Sequence, residues 1–562
     1  MKKYPIGISD FKRVIRDDYY FVDKSLFIEE IVESSATSIL LPRPRRFGKT
    51  LNMSMLHAFF DIKKEEENKS LFDHLKIRKS DVWKHQGKYP TVYLSLKDIK
   101  ENSFSSALLK ITDLLKEFLK GYQNIIDNPN LDTDDLKYFD KLKSNQLTSS
   151  ELSTFLIKFS RILHDYYQQR VIILIDEYDS CVIKSWEAGY YDEMITFMRG
   201  FLSGGFKDND YLFKGIITGI LRVAKESIFS GLNNLEVNTV LDHDYADKFG
   251  LTEQEVKQLL EDGQIDVPFE DVKSWYNGYK IGTHSDIYNP WSILSFANKP
   301  KQGFRPYWVN TSANELIEEL LTNANADLEK KLTGFIDGQV MECEVEETTI
   351  FQDLDAGNEK TVLGLLLFNG YLTTTFSKNI DGIAYHGLRI PNIEVKTVYR
   401  QMLQRLLSKS TVVSESTILT ALLDQNAKDF EIALSEYLLH SFSFHDVQHS
   451  GSLPEKVYHA FILGLMAHLS SKYIVKSNPE TGLGRADLMI YPKDSKDSRG
   501  WILEFKKLRP SSPPLPELAK DAIKQIHDSK YITTLKENNK TDIMLVGVAF
   551  DGKEVSCLTE FL

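Results

Sequence analysis

A lysine and a threonine that follow a glycine at the end of an apolar strand are the usual parts of a phosphate-binding loop. Residues 43–50, RPRRFGKT, follow the apolar run Ser38–Leu41 and lead into a helical pattern with Leu51, Met55 and Phe59 on one face. The segment meets GxxxxGK[ST] everywhere except the first place, where Arg43 stands for glycine. Such a loop turns backbone N–H groups toward phosphate oxygens at a helix N-terminus. Its lysine reaches the β and γ phosphates, and its hydroxyl holds Mg²⁺. Gly48, Lys49 and Thr50 supply those parts, and Arg45, Arg46 and Phe47 fill the loop before them. A basic turn at an exposed rim reads the same way in isolation.

A second signal follows in the expected chain order. VIILIDEYDS (Val171–Ser180) is an apolar strand ending in Asp176 and Glu177. An acid at the carboxyl end of such a strand holds the Mg²⁺ of a nucleoside triphosphate. The next Glu can polarise the attacking water as a general base. Capping of a helix by Asp179 or Ser180 is the plainer use of the same acids. The following run, LFKGIITGI, ends at Thr218 with Arg222 just beyond it. A hydroxyl there can sense the γ phosphate and a nearby Arg can stabilise transferred charge; a helix cap and a surface Arg fit equally.

A different chemistry lies near the carboxyl end. GRADLMIYP, a polar turn and GWILEFKK read as a hairpin. Period two puts Ile502, Glu504 and Lys506 on one face and Trp501, Leu503 and Phe505 on the other. Asp487, at the start of the partner strand, reaches the same point. Two carboxylates bind a divalent cation through hard oxygens. That cation acidifies water and stabilises charge on a phosphodiester, while the lysine orients or activates the nucleophile. Gln525, on the helix after the Pro510–Pro516 connector, and Glu455 are candidates for the rim. With 16 residues between Asp487 and the Glu504-Phe505-Lys506 triplet the pattern is permissive, and an exposed cross-strand Glu–Lys pair meets it too.

The elements that must carry these residues divide the chain in three. Up to about residue 290, apolar runs at Ser38–Leu41, Thr91–Leu96, Val171–Ile175 and Leu212–Ile217 alternate with helical patterns. This predicts a parallel sheet flanked by helices on both faces, with the more alternating Thr91–Leu96 nearer an edge. Residues 291–450 read as a mainly helical region (Asn314–Leu321, Val395–Leu407, Ile418–Leu438) with a two-strand patch at Gly370–Thr375 and Tyr385–Ile390. Residues 451–562 read as helix, strand, strand, helix, strand: a second, smaller α/β domain. Trp275–Gly282 (WYNGYKIG) and Tyr288–Trp291 (YNPW) carry no derivable chemistry and suit a packed turn; a base-stacking surface is the alternative.

Composition limits the rest. The chain has 562 residues, 42% hydrophobic and 26% charged, too long for one core and ordinary for a multidomain globular protein. A net charge of −12 excludes a wholly basic nucleic-acid coat. Residues 451–562 hold 16 Lys and Arg against 14 Asp and Glu, so this part is the less acidic one, as phosphate contact prefers. Cys181, Cys343 and Cys557 are too scattered for a zinc knuckle or a disulfide framework. There is no signal-peptide pattern and no apolar run near the roughly 20 residues of a membrane span. The expectation is a cytoplasmic protein without membrane contact.

The strings YPIGISDFKRVIRDDYYFVDKSLFIEE, RPRRFGKTLNMSML, LIDEYD, TGILRVAKESIFSGLNNL, WYNGYKIG, YNPWSIL, LRIPNIEV, EKVYHAFILGL, GRADLMIY and ILEFKK together resemble a bacterial family. That family joins an AAA-type ATPase-like domain to a C-terminal PD-(D/E)XK nuclease-like domain of restriction-endonuclease type. The resemblance implies ATP and Mg²⁺ at Lys49, Thr50, Asp176 and Glu177, and a nuclease-like metal centre at Asp487, Glu504 and Lys506. Arg43 looks like that family's own form of the loop. The function expected is ATP binding and hydrolysis coupled to metal-dependent cleavage of nucleic acid, DNA before RNA, with oligomerisation left open. Two rivals stand beside it: a nucleotide-switched module that binds nucleic acid or protein without cutting, and an ATPase scaffold of a mobile element or defence system.

Overall fold

The computed structural model describes residues 2–562 except 129–130, 224–227, 229–233, 309–325, 337, 349–350, 356–357, 400–414, 442–468, 470–471, 478–479, 482–483, 486, 509–511, 529–530 and 552–553. The helix expected over 314–321, that over Glu455–Leu469 but for its last residue, and Glu455 itself lie outside the described residues. The helix expected over Val395–Leu407 is described only as far as Tyr399. Two compact units make up the chain. The first holds Met1–Asn314 and Gly338–Val395, the second Glu315–Asp337 and Lys396–Leu562.

In the first unit β1 (Ser38–Pro42), β2 (Thr91–Ser95), β3 (Val171–Asp176), β4 (Leu212–Gly219) and β5 (Leu235–Val237) form one sheet in the order β2-β3-β4-β1-β5. Every pairing in it is parallel. β1 and β3 are buried along their whole length, which is why they read as unbroken apolar runs. β2, the alternating run, is an edge strand as expected. Amphipathic helices such as Phe104–Lys120 and Phe155–Tyr167 make the crossovers. The register sets Leu41 beside Thr218, and Ile175 beside Ile217, so the carboxyl ends of β1, β3 and β4 are level. Strand order reverses beside β1, and ligands of open α/β sheets bind at the carboxyl edge of such a switch point.

Two small sheets complete this unit. β6 (Leu251–Thr252), β7 (Tyr279–Ile281) and β8 (His284–Tyr288) pair in the order β6-β8-β7. β9 (Met341–Glu344), β10 (Thr373–Ile380) and β11 (Ile383–Arg389) pair as β10-β11-β9. β10 and β11 are the expected two-strand patch. β9, whose sequence MECE has no apolar alternation, is the partner that patterning missed.

The second unit is a three-layer α/β structure. Short strands β13 (Glu480–Thr481) and β14 (Gly484–Arg485) pair with each other. β12 (Tyr473–Ser477), β15 (Leu488–Pro492), β16 (Arg499–Lys507), β17 (Asp542–Asp551) and β18 (Glu554–Phe561) form a sheet in that order, antiparallel except between β16 and β17. Trp501, Leu503 and Phe505 face helices Glu415–Leu423 and Ala427–Ser441 through Ile418, Leu422, Phe430 and Leu434. Ile502 and Leu545 face the opposite helix, Leu515–Asp528, through Ile523 and Ile526. The period-two division of β16 is therefore the division between its two cores. Among the described residues, no helix is long and apolar enough to cross a membrane.

One buried carboxyl binds distant parts of the first unit together. Glu394 has no exposed surface. It accepts the Ser292 hydroxyl at 2.7 Å and the Trp308 N–H at 2.8 Å, with the Tyr307 N–H beside them. Burial pushes its pKa up to about 7. The folded form thus holds a proton that the unfolded chain releases near pH 4.3. This contribution is complete below that pH and is lost as pH rises through about 7. Glu394→Gln should flatten the fall in thermal stability between about pH 5 and pH 8, with a difference of up to about 3 kcal/mol read from melting curves. Parallel wild-type and variant curves would reject the assignment.

Candidate functional site

β1 delivers the loop 43–48 to the carboxyl edge of the sheet, and Gly48 (φ 87°) turns it into the helix Lys49–Phe60. Arg43 does not face the loop's mouth. Its guanidinium is fully buried and donates to the carbonyls of Pro42 (2.9 Å), Asn238 and Asp244 (3.3 Å), with the Phe249 ring 5.2 Å away. Burial without a carboxylate contact brings its pKa down to about 10. The backbone at Arg43 keeps a negative φ, so the freedom of a glycine is not needed there, whereas Arg46 takes φ 65°. Arg46 lies over the Trp291 ring at 3.7 Å. Arg45 Nε and Arg46 Nη1 are buried nitrogens without a hydrogen-bond partner among the described residues.

Lys49 is 6% exposed and donates to the carbonyls of Arg43 (2.8 Å) and Pro44 (3.0 Å). Burial lowers its pKa against the pull of Glu177, Asp179 and Asp176. The Thr50 hydroxyl donates to Asp176 Oδ2 at 2.8 Å, and the Thr218 hydroxyl to Asp176 Oδ1 at 2.6 Å. Four of the expected residues, Lys49, Thr50, Asp176 and Thr218, thus meet where β1, β3 and β4 end. Asp176 has no exposed surface, and burial raises its pKa while both hydroxyls oppose the rise.

Glu177 follows with φ 53°, a left-handed conformation that costs a non-glycine residue energy and is common at functional sites. Ser180 Oγ donates to its Oε2 at 3.3 Å. Asp179 does not cap the next helix. Its Oδ2 accepts the N–H groups of Ile220 (2.7 Å) and Leu221 (2.8 Å), and Tyr178 donates to the Leu221 carbonyl at 2.8 Å. These two residues hold the exit of β4 against the exit of β3. Patterning read Asp179 only as a cap because its partners lie some 40 residues away. Arg222 is not drawn to the loop; it pairs with Glu347 at 3.3 Å.

In the second unit, Phe505 N–H donates to Asp487 Oδ2 at 2.8 Å, and Asp487 N–H donates to Glu504 Oε2 at 3.4 Å. The two carboxylates are therefore neighbours across β15 and β16. Lys506 Nζ lies 3.5 Å from Glu504 Oε1. The Gln525 side chain donates to that oxygen and accepts from Lys506, joining the pair. Gly547, opposite Glu504 on β17, lets the Gln525 helix come this close: a Cβ there would strike the Ala519 carbonyl oxygen. Glu504 is 2% exposed, and burial, then Asp487, push its pKa up to about 7. Among the described residues no three carboxylate, His or Cys side chains converge as a closed metal cage.

Residues 5–229 match the family described as predicted AAA-ATPase, and residues 453–560 match the PD-(D/E)XK nuclease superfamily. The chain joins a predicted AAA-ATPase domain to a PD-(D/E)XK nuclease-superfamily domain. It is also 28% identical over 419 residues to an uncharacterized protein in the vnfD 5' region of Azotobacter chroococcum mcd 1, covering 74% of this chain and 73% of that protein. That relative carries no described activity to transfer.

The loop's chemistry fits a nucleotide phosphate: among the described residues, buried guanidinium nitrogens stand without hydrogen-bond partners and the Lys49 ammonium is hydrogen-bonded by carbonyls. Asp176 with two hydroxyls fits a cation beside it. Asp487 and Glu504 fit a second, since two adjacent carboxylates repel until a positive charge enters. Arg43 makes a separate test. Restoring the general glycine, Arg43→Gly, should lower stability by about 3 kcal/mol, because the Asn238 and Asp244 carbonyls lose their buried donor. An unchanged melting temperature would show that the guanidinium carries no such load.

Proposed function

We propose that the chain is an ATP-binding and hydrolysing protein whose C-terminal domain cleaves phosphodiesters of DNA with a divalent cation. The observation that carries this reading is the pairing of Asp487 with buried Glu504, joined to Lys506 through Gln525.

In the first unit Arg45, Arg46, Phe47, Gly48, Lys49 and Thr50 would hold the triphosphate, and Thr50 with Asp176 would hold Mg²⁺. The nucleotide with its cation supplies a phosphoanhydride whose developing charge needs fixed positive groups. Lys49, already buried, and the two half-buried arginines are such groups. Glu177 orients water and takes its proton. Thr218 fixes the Asp176 carboxylate that faces it. In the second unit Asp487 and Glu504 would hold the other cation, which supplies Lewis-acid polarisation of the phosphodiester and acidification of water. Lys506 orients the nucleophile and balances phosphate charge, and Gln525 keeps Lys506 and Glu504 in one geometry.

Incubating the full chain with single- and double-stranded DNA and RNA, with Mg²⁺ or Mn²⁺ and with or without ATP, tests this directly. Glu504→Ala and Lys506→Ala should each cut cleavage by about 100-fold or more while ATP turnover persists. Lys49→Ala should abolish nucleotide binding, and Glu177→Gln should bind ATP but turn it over slowly. Wild-type protein that binds nucleotide and metal yet cleaves no nucleic acid would leave the switched binding module as the correct reading.

A further inference from the structure

The strings WYNGYKIG and YNPW hold the phosphate loop on one side and the chain's exits from the first unit on the other. The chain leaves this unit after Asn314 and, on its second pass, after Val395. Loop residues 45, 46 and 47 each meet the strings. Asn289, fully buried, donates to the Arg45 carbonyl at 3.4 Å while its Oδ1 accepts Trp291 N–H (2.9 Å) and Ser292 N–H (3.4 Å), capping the helix Pro290–Asn298. Trp291 underlies the Arg46 guanidinium at 3.7 Å. Tyr279 meets the Phe47 ring edge-on at 5.1 Å.

The same strings grip the exits. Trp291 Nε1 donates to the Tyr307 carbonyl at 3.2 Å. Ser292, the residue after YNPW, donates its Oγ proton to Glu394, which also accepts Trp308 N–H. Tyr276 OH donates to the Arg305 carbonyl (3.0 Å) and accepts its N–H (3.1 Å). The Asn277 carbonyl accepts Asn392 Nδ2 at 2.7 Å, and Asn392 Oδ1 accepts Val395 N–H at 3.0 Å. Gly278, at φ 102°, lies so near Pro391 that a Cβ would strike its carbonyl oxygen.

We propose that Arg46 on Trp291 is a nucleotide-sensing contact, and that the Pro290–Asn298 helix passes loop occupancy to residues 305–308 and 391–395, which lead in sequence to the second unit. The inference rests on the reading of residues 43–50 as a phosphate site. Arg46 has a buried nitrogen without a partner and a strained backbone. A phosphate offers it a charge-assisted hydrogen bond, stronger than the hold of an aromatic face on the same cation. Nucleotide therefore draws Arg46 off the ring. Trp291 then loses its cover while still bonded to Tyr307, and the helix N-terminus that caps on Asn289 and holds Glu394 through Ser292 shifts with it. On this reading the packed strings are the part of the fold that connects bound phosphate to the way out of the unit.

Hydrogen exchange read by mass spectrometry on the full chain, with and without a non-hydrolysable ATP analogue and Mg²⁺ at concentrations saturating each protein, tests the relay. In the wild type, exchange over 305–308 and 391–395 should change by about threefold or more on binding. Trp291→Leu, with binding confirmed by titration, should lose that change, and Trp291→Phe, which keeps a ring under Arg46 but lacks the indole N–H held by the Tyr307 carbonyl, should restore it at 391–395 and not at Tyr307. Ser292→Ala, which removes one hydroxyl and leaves the packing, should lose the change at 391–395 and keep it at Tyr307. Wild-type protein that binds the analogue without altered exchange at these segments overturns the relay alone, as does an unchanged response in Trp291→Leu. Wild-type protein that fails to bind the analogue overturns the phosphate-site reading and the relay together.

Discussion

Arg43, Arg45, Arg46 and Lys49 place four cationic side chains in seven residues, Arg43 and Lys49 buried and the other two half-buried, and the direct partners described for them are carbonyl oxygens and aromatic rings rather than carboxylates. A carboxylate in contact would neutralise them and close the site to anions. Carbonyl dipoles soften the desolvation cost without neutralising the charge, and Asp176, Glu177 and Asp179 act on it from further off. The surrounding fold follows from keeping that arrangement in place. The level ends of β1, β3 and β4 bring Asp176 and its two hydroxyls to the loop's edge. Asp179 and Tyr178 fix the exit of β4, and segment 238–249 supplies the seat for Arg43.

The C-terminal unit uses the opposite polarity by the same device. Two carboxylates meet at the end of a hairpin, one of them desolvated, and a single lysine, itself shared with Gln525, offsets part of their repulsion. The sheet is closed tightly around the pair because Gly547 admits the backbone of the facing helix.

The central strands were legible because burial on both faces leaves no room for polar residues, so Val171–Ile175 could hardly be anything else. The shared face of Glu504 and Lys506 was legible because strand period fixes it. The seat of Arg43 was not, since its acceptors at Asn238 and Asp244 lie some 195 and 201 residues away in sequence. Nor was Glu394, an isolated acid in LRIPNIEV whose partners Ser292 and Trp308 are set by tertiary packing alone. β5 and β9 escaped for the local reason that three or four half-exposed residues carry no periodicity.

The first unit is discontinuous: residues 338–395 return to it after the chain has already begun the second. During synthesis the sheet and the loop 43–50 emerge first, but the carboxyl that holds Ser292 and Trp308 is added only when position 394 leaves the ribosome. Until then the nascent unit lacks its last strands and its buried acid, and domains complete folding as whole units. An early stop or a slow codon stretch before that point would therefore expose an unfinished N-terminal body to proteases, even though every residue of the loop 43–50 had long been made.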